Sequence, residues 1–288
     1  MASTDGWTTP AHKALRVRHG FDLAAFDRGS TPGFDGDKTT GRRLMAKRGV
    51  VLSELQERLF AGGRTGGTRS MLLVLQGMDT AGKGGIVRHV VGQVDPQGVA
   101  MRSFGVPTEE ELAHHYLWRI RAALPRPGYL GVFDRSHYED VLVVRVEDLV
   151  PRAVWEPRYD EINAFEAEIV AAGTPVVKVA LVVSLEEQTK RLKERIERPD
   201  KHWKYNPDDI DARAKWPRYQ EAYQAVLDRT STDVAPWYVV PADRKWYARS
   251  AVTELLVHAL EGIAPQWPAA DFDPAVELRR LAASRAGS

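Results

Sequence analysis

The stretch that most constrains this chain is LVLQGMDTAGKGG, Leu73 to Gly85. An apolar run enters a loop with glycines at Gly77, Gly82, Gly84 and Gly85 around a single lysine, Lys83. Gly77 to Lys83 fits the spacing G-x-x-x-x-G-K, and IVRHVVGQV (86–94) reads as the helix that follows. Strand, glycine-rich loop and helix in that order are the context a phosphate-binding loop requires. Glycines let successive backbone N–H groups turn toward one anion, and the helix start adds positive potential. Lys83 is then placed to reach a transferring phosphoryl group. The Ser or Thr that usually follows the lysine as a magnesium ligand is absent, with Gly84 in its place. Asp79 offers a replacement carboxylate, acceptable beside phosphates because a metal ion offsets the repulsion. A turn capping an ordinary helix would use the same glycines, so the rest of the chain must decide.

Strands and helices alternate around this loop. MLLVLQ (71–76), VAMRSFG (99–105), GYLGVFD (128–134), TPVVKVALVVS (174–184) and PWYVVPA (236–242) read as five strands. Helices are expected over 108–124, which opens on a Thr-x-x-Glu capping signal, and over 186–197, much of 208–228 and 250–263. This pattern predicts a three-layer α/β domain with a parallel central sheet. LMAKRGVVLSELQERLF (44–60) is expected to be a helix packed on that domain, with 60–70 a loop and the tail after Pro268 poorly ordered.

Two further features point to phosphate chemistry. Asp134 ends an apolar strand, the position of a metal-linked carboxylate in phosphate-binding folds. Neighbouring core strands would bring it to the same sheet edge as Asp79. A helix cap is the bland reading of Asp134, and Arg135 after it either contacts phosphate or forms a surface ion pair. In EEQTKRLKERIERPDKHWK (186–204), Arg191, Arg195 and Arg198 fall at i, i+4 and i+7 on one helical face, spanning roughly 10 Å. Such a stripe suits a lid closing over a polyanion, and a solvated face with intrahelical ion pairs is the alternative.

Charge as a whole adds no pull toward nucleic acid or membrane. Lys and Arg total 40 against 39 acids, for a net charge of +1, so basic function must come from local clustering. The absence of cysteine excludes disulfides and thiolate chemistry. No apolar run approaches membrane length, and a cytoplasmic protein is expected.

GMDTAGKGG, SFGVPTEEE, LWRI, GVFDRSHYEDVLVVRV, RPDKHWKYNPDD and TSTDVAPWYVVPADRKWY together resemble the polyphosphate kinase 2 family, in that family's order and over roughly residues 20 to 262. The resemblance implies a thymidylate-kinase-like P-loop fold with a helical lid, a homo-dimer or homo-tetramer, and phosphoryl transfer between inorganic polyphosphate and nucleotides with Mg2+ or Mn2+. It implies that Asp79 and Asp134 hold the metal and that Lys83, Arg135, Arg191, Arg195 and Arg198 act on the phosphates. Lys201 and Lys204 become polyphosphate contacts, and Phe104, Pro107, Thr108 and Arg119 nucleotide contacts. Glu139 and Arg145 are either supports of the site or helix-surface ions, while His114, His115 and His137 are expected to be structural. The loop and DRSHYEDVLVVRV resemble the branch acting on both AMP and ADP, although Gly84 departs from the acid common there. The expected layout is an N-terminal extension (1–66), a kinase domain (67–268) with its lid at about 186–210, and a tail (269–288). An ATP-dependent nucleoside-monophosphate kinase and a non-catalytic nucleotide-binding regulator are the competing expectations.

Overall fold

The structure is a computed structural model that describes residues 6–284. Strands β1 (Met71–Gln76), β2 (Val99–Ser103), β3 (Leu130–Asp134), β4 (Val176–Val182) and β5 (Trp237–Pro241) form one sheet in the order β2-β3-β1-β4-β5. Every adjacent pair is parallel. Helices of seven residues or more are numbered α1 (Lys38–Arg64), α2 (Lys83–His89), α3 (Arg158–Ala171), α4 (Leu185–Glu197), α5 (Asp208–Ala214), α6 (Trp216–Thr230), α7 (Lys245–Ile263) and α8 (Pro274–Ser284).

The two-residue side-chain period of a strand explains the layering. Met71, Leu73 and Leu75 of β1 point into one core, shared with Leu44, Leu52 and Leu59 of α1, Ile86 of α2 and Leu255 of α7. Leu72 and Val74 point into the other, shared with Ile162 and Phe165 of α3 and Val226 of α6. With both faces covered, β1 is buried at all six positions, which is why it reads as an unbroken apolar run. Among the described residues no helix is long and apolar enough to cross a membrane.

Several helix boundaries differ from the sequence reading. The helix expected over 86–94 begins at Lys83, ends at His89, and gives way to a 3-10 turn at Val91–Gln93. The segment 108–124 is not one helix but two short ones, Glu109–Leu112 and Trp118–Ala122. Its capping box is present, but Leu117 and Ile120 turn into the core while Leu112 stays exposed, so the chain breaks between them. The 208–228 helix is divided at Lys215, where Pro217 occupies the first turn of α6 and needs no N–H partner there. The final core helix starts at Lys245 instead of 250, and α1 runs through Arg64 into the expected loop. Helix α3 was not anticipated. The tail after Pro268 carries α8, none of whose residues is buried.

Candidate active site

The parallel sheet places the two loop-bearing strands side by side. Leu75 of β1 is in register with Asp134 of β3, and Arg135 N–H donates to the Leu75 carbonyl at 3.0 Å. Asp134 and the loop following Gln76 therefore meet at one carboxyl-end edge. Gly77 has φ +155°, and a Cβ there would lie 2.6 Å from the Leu181 carbonyl oxygen, so the loop can leave the sheet only through glycine. Gly82 caps α2 at φ +116°, while Thr80 and Arg135 adopt positive φ without being glycine (65° and 61°). Such backbone cost at a sheet edge is characteristic of functional loops. Gly84 has nothing within 4 Å of a built Cβ and is not a steric requirement.

Lys83 folds back over this loop, its Nζ donating to the Gly77 carbonyl at 2.6 Å. Burial pushes its ammonium pKa down, and Asp79 opposes the shift. Asp79 Oδ1 accepts from Arg135 Nη2 at 3.1 Å, and Gln188 Nε2 donates to the Asp79 carbonyl at 3.2 Å. Arg135 also lies 3.9 Å from Glu139. Burial lifts the Glu139 carboxyl above its ordinary value, against Arg135 and Lys83, which favour the charged form.

Two cavities meet at these groups. The first, of about 780 Å3, runs along the loop and α2 and is lined by Lys83, Asp134 and the lid residues Arg195, Lys201 and Lys204. The second, of about 530 Å3, is lined by Met78, Glu139, Lys215, Tyr219 and Tyr223. Asp79 and Arg135 belong to the walls of both.

The three lid arginines have three different surroundings. Arg191 is buried and spends its guanidinium on Glu187 and on the carbonyls of Thr80, Ala81, Ala242 and Asp243, which ties the loop to α4 and to the end of β5. Arg195 lines the first cavity while holding Asp209 at 2.9 Å. Arg198 pairs with Glu194 and Asp200 and does not line the cavity. Lys201 pairs with Glu194, and Lys204 lies over the Trp203 ring.

The expected nucleotide contacts are not brought into either cavity. Phe104 is buried edge-on against Phe133, with Arg119 above its ring. Arg119 donates to the Gly105 carbonyl and approaches Glu111 at 3.4 Å, and Thr108 caps the short helix that Glu111 completes. Pro107 is half-buried beside them. Val106 is the residue of this segment that reaches the second cavity. Of the supporting candidates, Glu139 lines that cavity whereas Arg145 donates to the Tyr159 hydroxyl. Sequence reasoning missed Tyr219 and Tyr223, whose i, i+4 spacing on α6 was a signal, and the basic residues Arg88, Lys245 and Arg249 of the first cavity.

Comparisons with known proteins agree with this geometry. A profile of the family "Polyphosphate kinase 2" matches residues 36–267. An AMP/ADP-polyphosphate phosphotransferase of Meiothermus ruber is 48% identical over 248 residues, covering 86% of this chain and 91% of that protein. An ADP-polyphosphate phosphotransferase of Rhodopseudomonas palustris is 40% identical over 229 residues, covering 75% and 78%. The crystal structure of polyphosphate kinase 2 from Arthrobacter aurescens TC1 superposes with a TM-score of 0.93 at 51% identity, covering 96% of this chain and 98% of that one. The sheet order, the loop and these matches together place the chain, as a P-loop kinase fold, in the polyphosphate kinase 2 family.

Proposed function

We propose that this protein transfers a terminal phosphoryl group between inorganic polyphosphate and adenine nucleotides, taking AMP to ADP and ADP to ATP. One observation carries the reading: Asp79 and Arg135 form a shared wall between a cation-lined cavity and a second one in which Tyr219, Tyr223 and apolar side chains stand among six carboxylates. An in-line transfer needs donor and acceptor on opposite sides of the reacting phosphorus, with charge neutralised between them. Polyphosphate suits the first cavity, and a nucleotide, which presents a flat base as well as phosphate, suits the second beside Tyr219 and Tyr223. The names of the relatives support polyphosphate as donor.

Asp79 and Asp134 are the residues proposed to hold Mg2+ or Mn2+. Both line the donor cavity, and among the described residues no group of three or more His, Cys, Asp or Glu forms a closed metal cage. Two carboxylates with the remaining positions left to phosphate oxygens and water suit a hard cation of this kind. The bound metal supplies charge neutralisation on the transferring group. Lys83 and Arg195 hold the donor, Arg135 bridges toward the acceptor, and Arg191 fixes the loop. An oxygen of the acceptor phosphate forms the new P–O bond as the bond to the next phosphate of the chain breaks, and the electron pair leaves on the shortened polyphosphate. That acceptor oxygen is already anionic near neutral pH, so no histidine base is required. Phe104, Pro107, Thr108 and Arg119 are proposed to shape the acceptor cavity from behind Val106.

A time course of AMP with polyphosphate and Mg2+, without added adenylate kinase, tests the reading. ADP should appear first and ATP after it; consumption of ADP alone would restrict the acceptor to diphosphates. The division at about 66 and 268 and the dimer or tetramer belong to the same proposal, and light scattering decides the assembly.

A further inference from the structure

Positive charge does not stop where the reacting groups stop. Past Lys83 the first cavity continues along α2 to Arg88 and across to Arg249 of α7. Arg249 lies over the start of α2, with its Nη2 3.9 Å from a Cβ built on Gly85. Arg88 is five residues beyond Lys83, about 7.5 Å further along the helix. Arg42 of α1 stands next in line, because Ser250 of α7 bonds the Gly41 carbonyl at 2.8 Å and so holds the start of α1 against α7. Among the described residues none of Arg42, Arg88 and Arg249 has a carboxylate within ion-pair distance. Their mutual repulsion is felt: burial lowers the Arg249 pKa, and Arg42, Arg191 and Arg88 each lower it further.

Three neighbouring arginines without acidic partners oppose the folded arrangement unless an anion occupies the space between them. The neutral ribose and base of a nucleoside triphosphate held at Lys83 could stack on or bond to a guanidinium but would not neutralise three of them. A chain that repeats its charge with every unit gains from each. Resting on the donor role proposed above, we infer that Arg249, Arg88 and Arg42 form a distal subsite that grips polyphosphate units beyond the reacting ones. This tract makes the protein select long chains over tripolyphosphate, and the N-terminal helix α1 is part of the selecting surface.

The test compares equilibrium binding of long-chain polyphosphate and of tripolyphosphate, without nucleotide, to the full-length protein and to R42Q/R88Q/R249Q. Loss of three partly exposed charge contacts should weaken long-chain binding about tenfold and flatten its dependence on ionic strength. The preference for long chain over tripolyphosphate should collapse accordingly. R42Q/R88Q, confined to exposed side chains, should give a smaller shift in the same direction and serves if the triple variant does not fold. An unchanged ratio of the two affinities, or an equal loss for both donors, would overturn the inference. Because binding is read without turnover, a failure of the proposed transfer reaction would appear separately, as absent product formation by a protein that still prefers the long chain.

Discussion

Lys178, in the middle of β4, and Lys83, at the loop after β1, are both lysines drawn away from water, yet their surroundings are opposite. Lys178 is completely buried and donates to Glu166 at 2.5 Å, to the Tyr138 hydroxyl at 2.9 Å and to the Thr230 carbonyl at 2.6 Å. His137 closes the network against Glu166 at 3.2 Å. Each ammonium proton has a partner inside the protein, and the side chain is closed off from solvent. Lys83 donates to one backbone carbonyl and faces a cavity whose other cations are only partly compensated. A charge satisfied within the fold is structural; a charge left facing open space awaits a ligand. The contrast also explains why a fully buried Lys–Glu–His network need not be catalytic.

The largest effect that sharpens this comparison is expected at the open site. Asp79→Asn and Asp134→Asn should each lower kcat/KM about a thousandfold, equivalent to ~4 kcal/mol of transition-state stabilisation, because each removes a proposed metal carboxylate. The melting temperature should barely move. Near-normal rates at limiting Mg2+ in either folded variant would remove that acid from the metal site.

At the closed site the effect should fall on stability. Lys178→Met alone strands the Glu166 carboxylate in the core and should cost about 3 kcal/mol in denaturant unfolding. Lys178→Met with Glu166→Leu, which removes both charges, should recover most of that loss. A double variant no better than the single one would contradict the view that the pair is merely self-satisfied.

A smaller, pH-dependent effect follows from the same pair. Burial pushes the Glu166 carboxyl up, but Lys178 and the His137 hydrogen bond outweigh it and hold the group below its ordinary value. The folded state thus binds that proton less readily than the unfolded chain. Its contribution is present above the usual glutamate value of about 4.3 and is lost as pH falls through the lower folded value. The stability gap between wild type and Glu166→Gln should therefore narrow on acidification, and thermal melts across that range would expose a gap that stays constant.

The smallest effects separate the lid arginines. Arg195→Ala should raise the apparent KM for polyphosphate several-fold, more so at low salt, with kcat less affected. Arg198→Ala should change either constant by less than about twofold, since Arg198 does not line the cavity and its ion pairs are solvent-exposed. Arg198 itself is taken up by Glu194 and Asp200, so of these two arginines Arg195 is the one placed to hold the donor.

What was legible in the sequence was local. Gly77, Gly82 and Lys83 announce their loop because spacing and backbone freedom act within a few residues, and Asp134 follows from a strand ending beside β1. Arg191 illustrates what was hidden. Helical spacing puts it on the face of Arg195, but its partners at Ala242 and Asp243 lie 51 and 52 residues away and pull it under the loop. Helix α3 escaped notice because it buries Glu166 and Tyr159 alongside its apolar residues, which blurs the periodicity. Phe104, Pro107, Thr108 and Arg119 line neither of the two cavities, for a similar reason. An aromatic next to a functional strand suggests a ligand contact, but Phe133 and Arg119 pack against Phe104 on contacts that its sequence neighbourhood does not reveal.

The central claim, that the open charges await polyphosphate, is tested most directly by the initial rate of ADP formation from AMP with a single phosphoryl donor supplied. Polyphosphate with Mg2+ should support the reaction in the wild-type protein and not in Asp79→Asn, with an apparent KM for polyphosphate that rises with ionic strength. Rapid ADP formation with ATP as donor, and none with polyphosphate, would contradict the account and make the protein an ordinary nucleoside-monophosphate kinase.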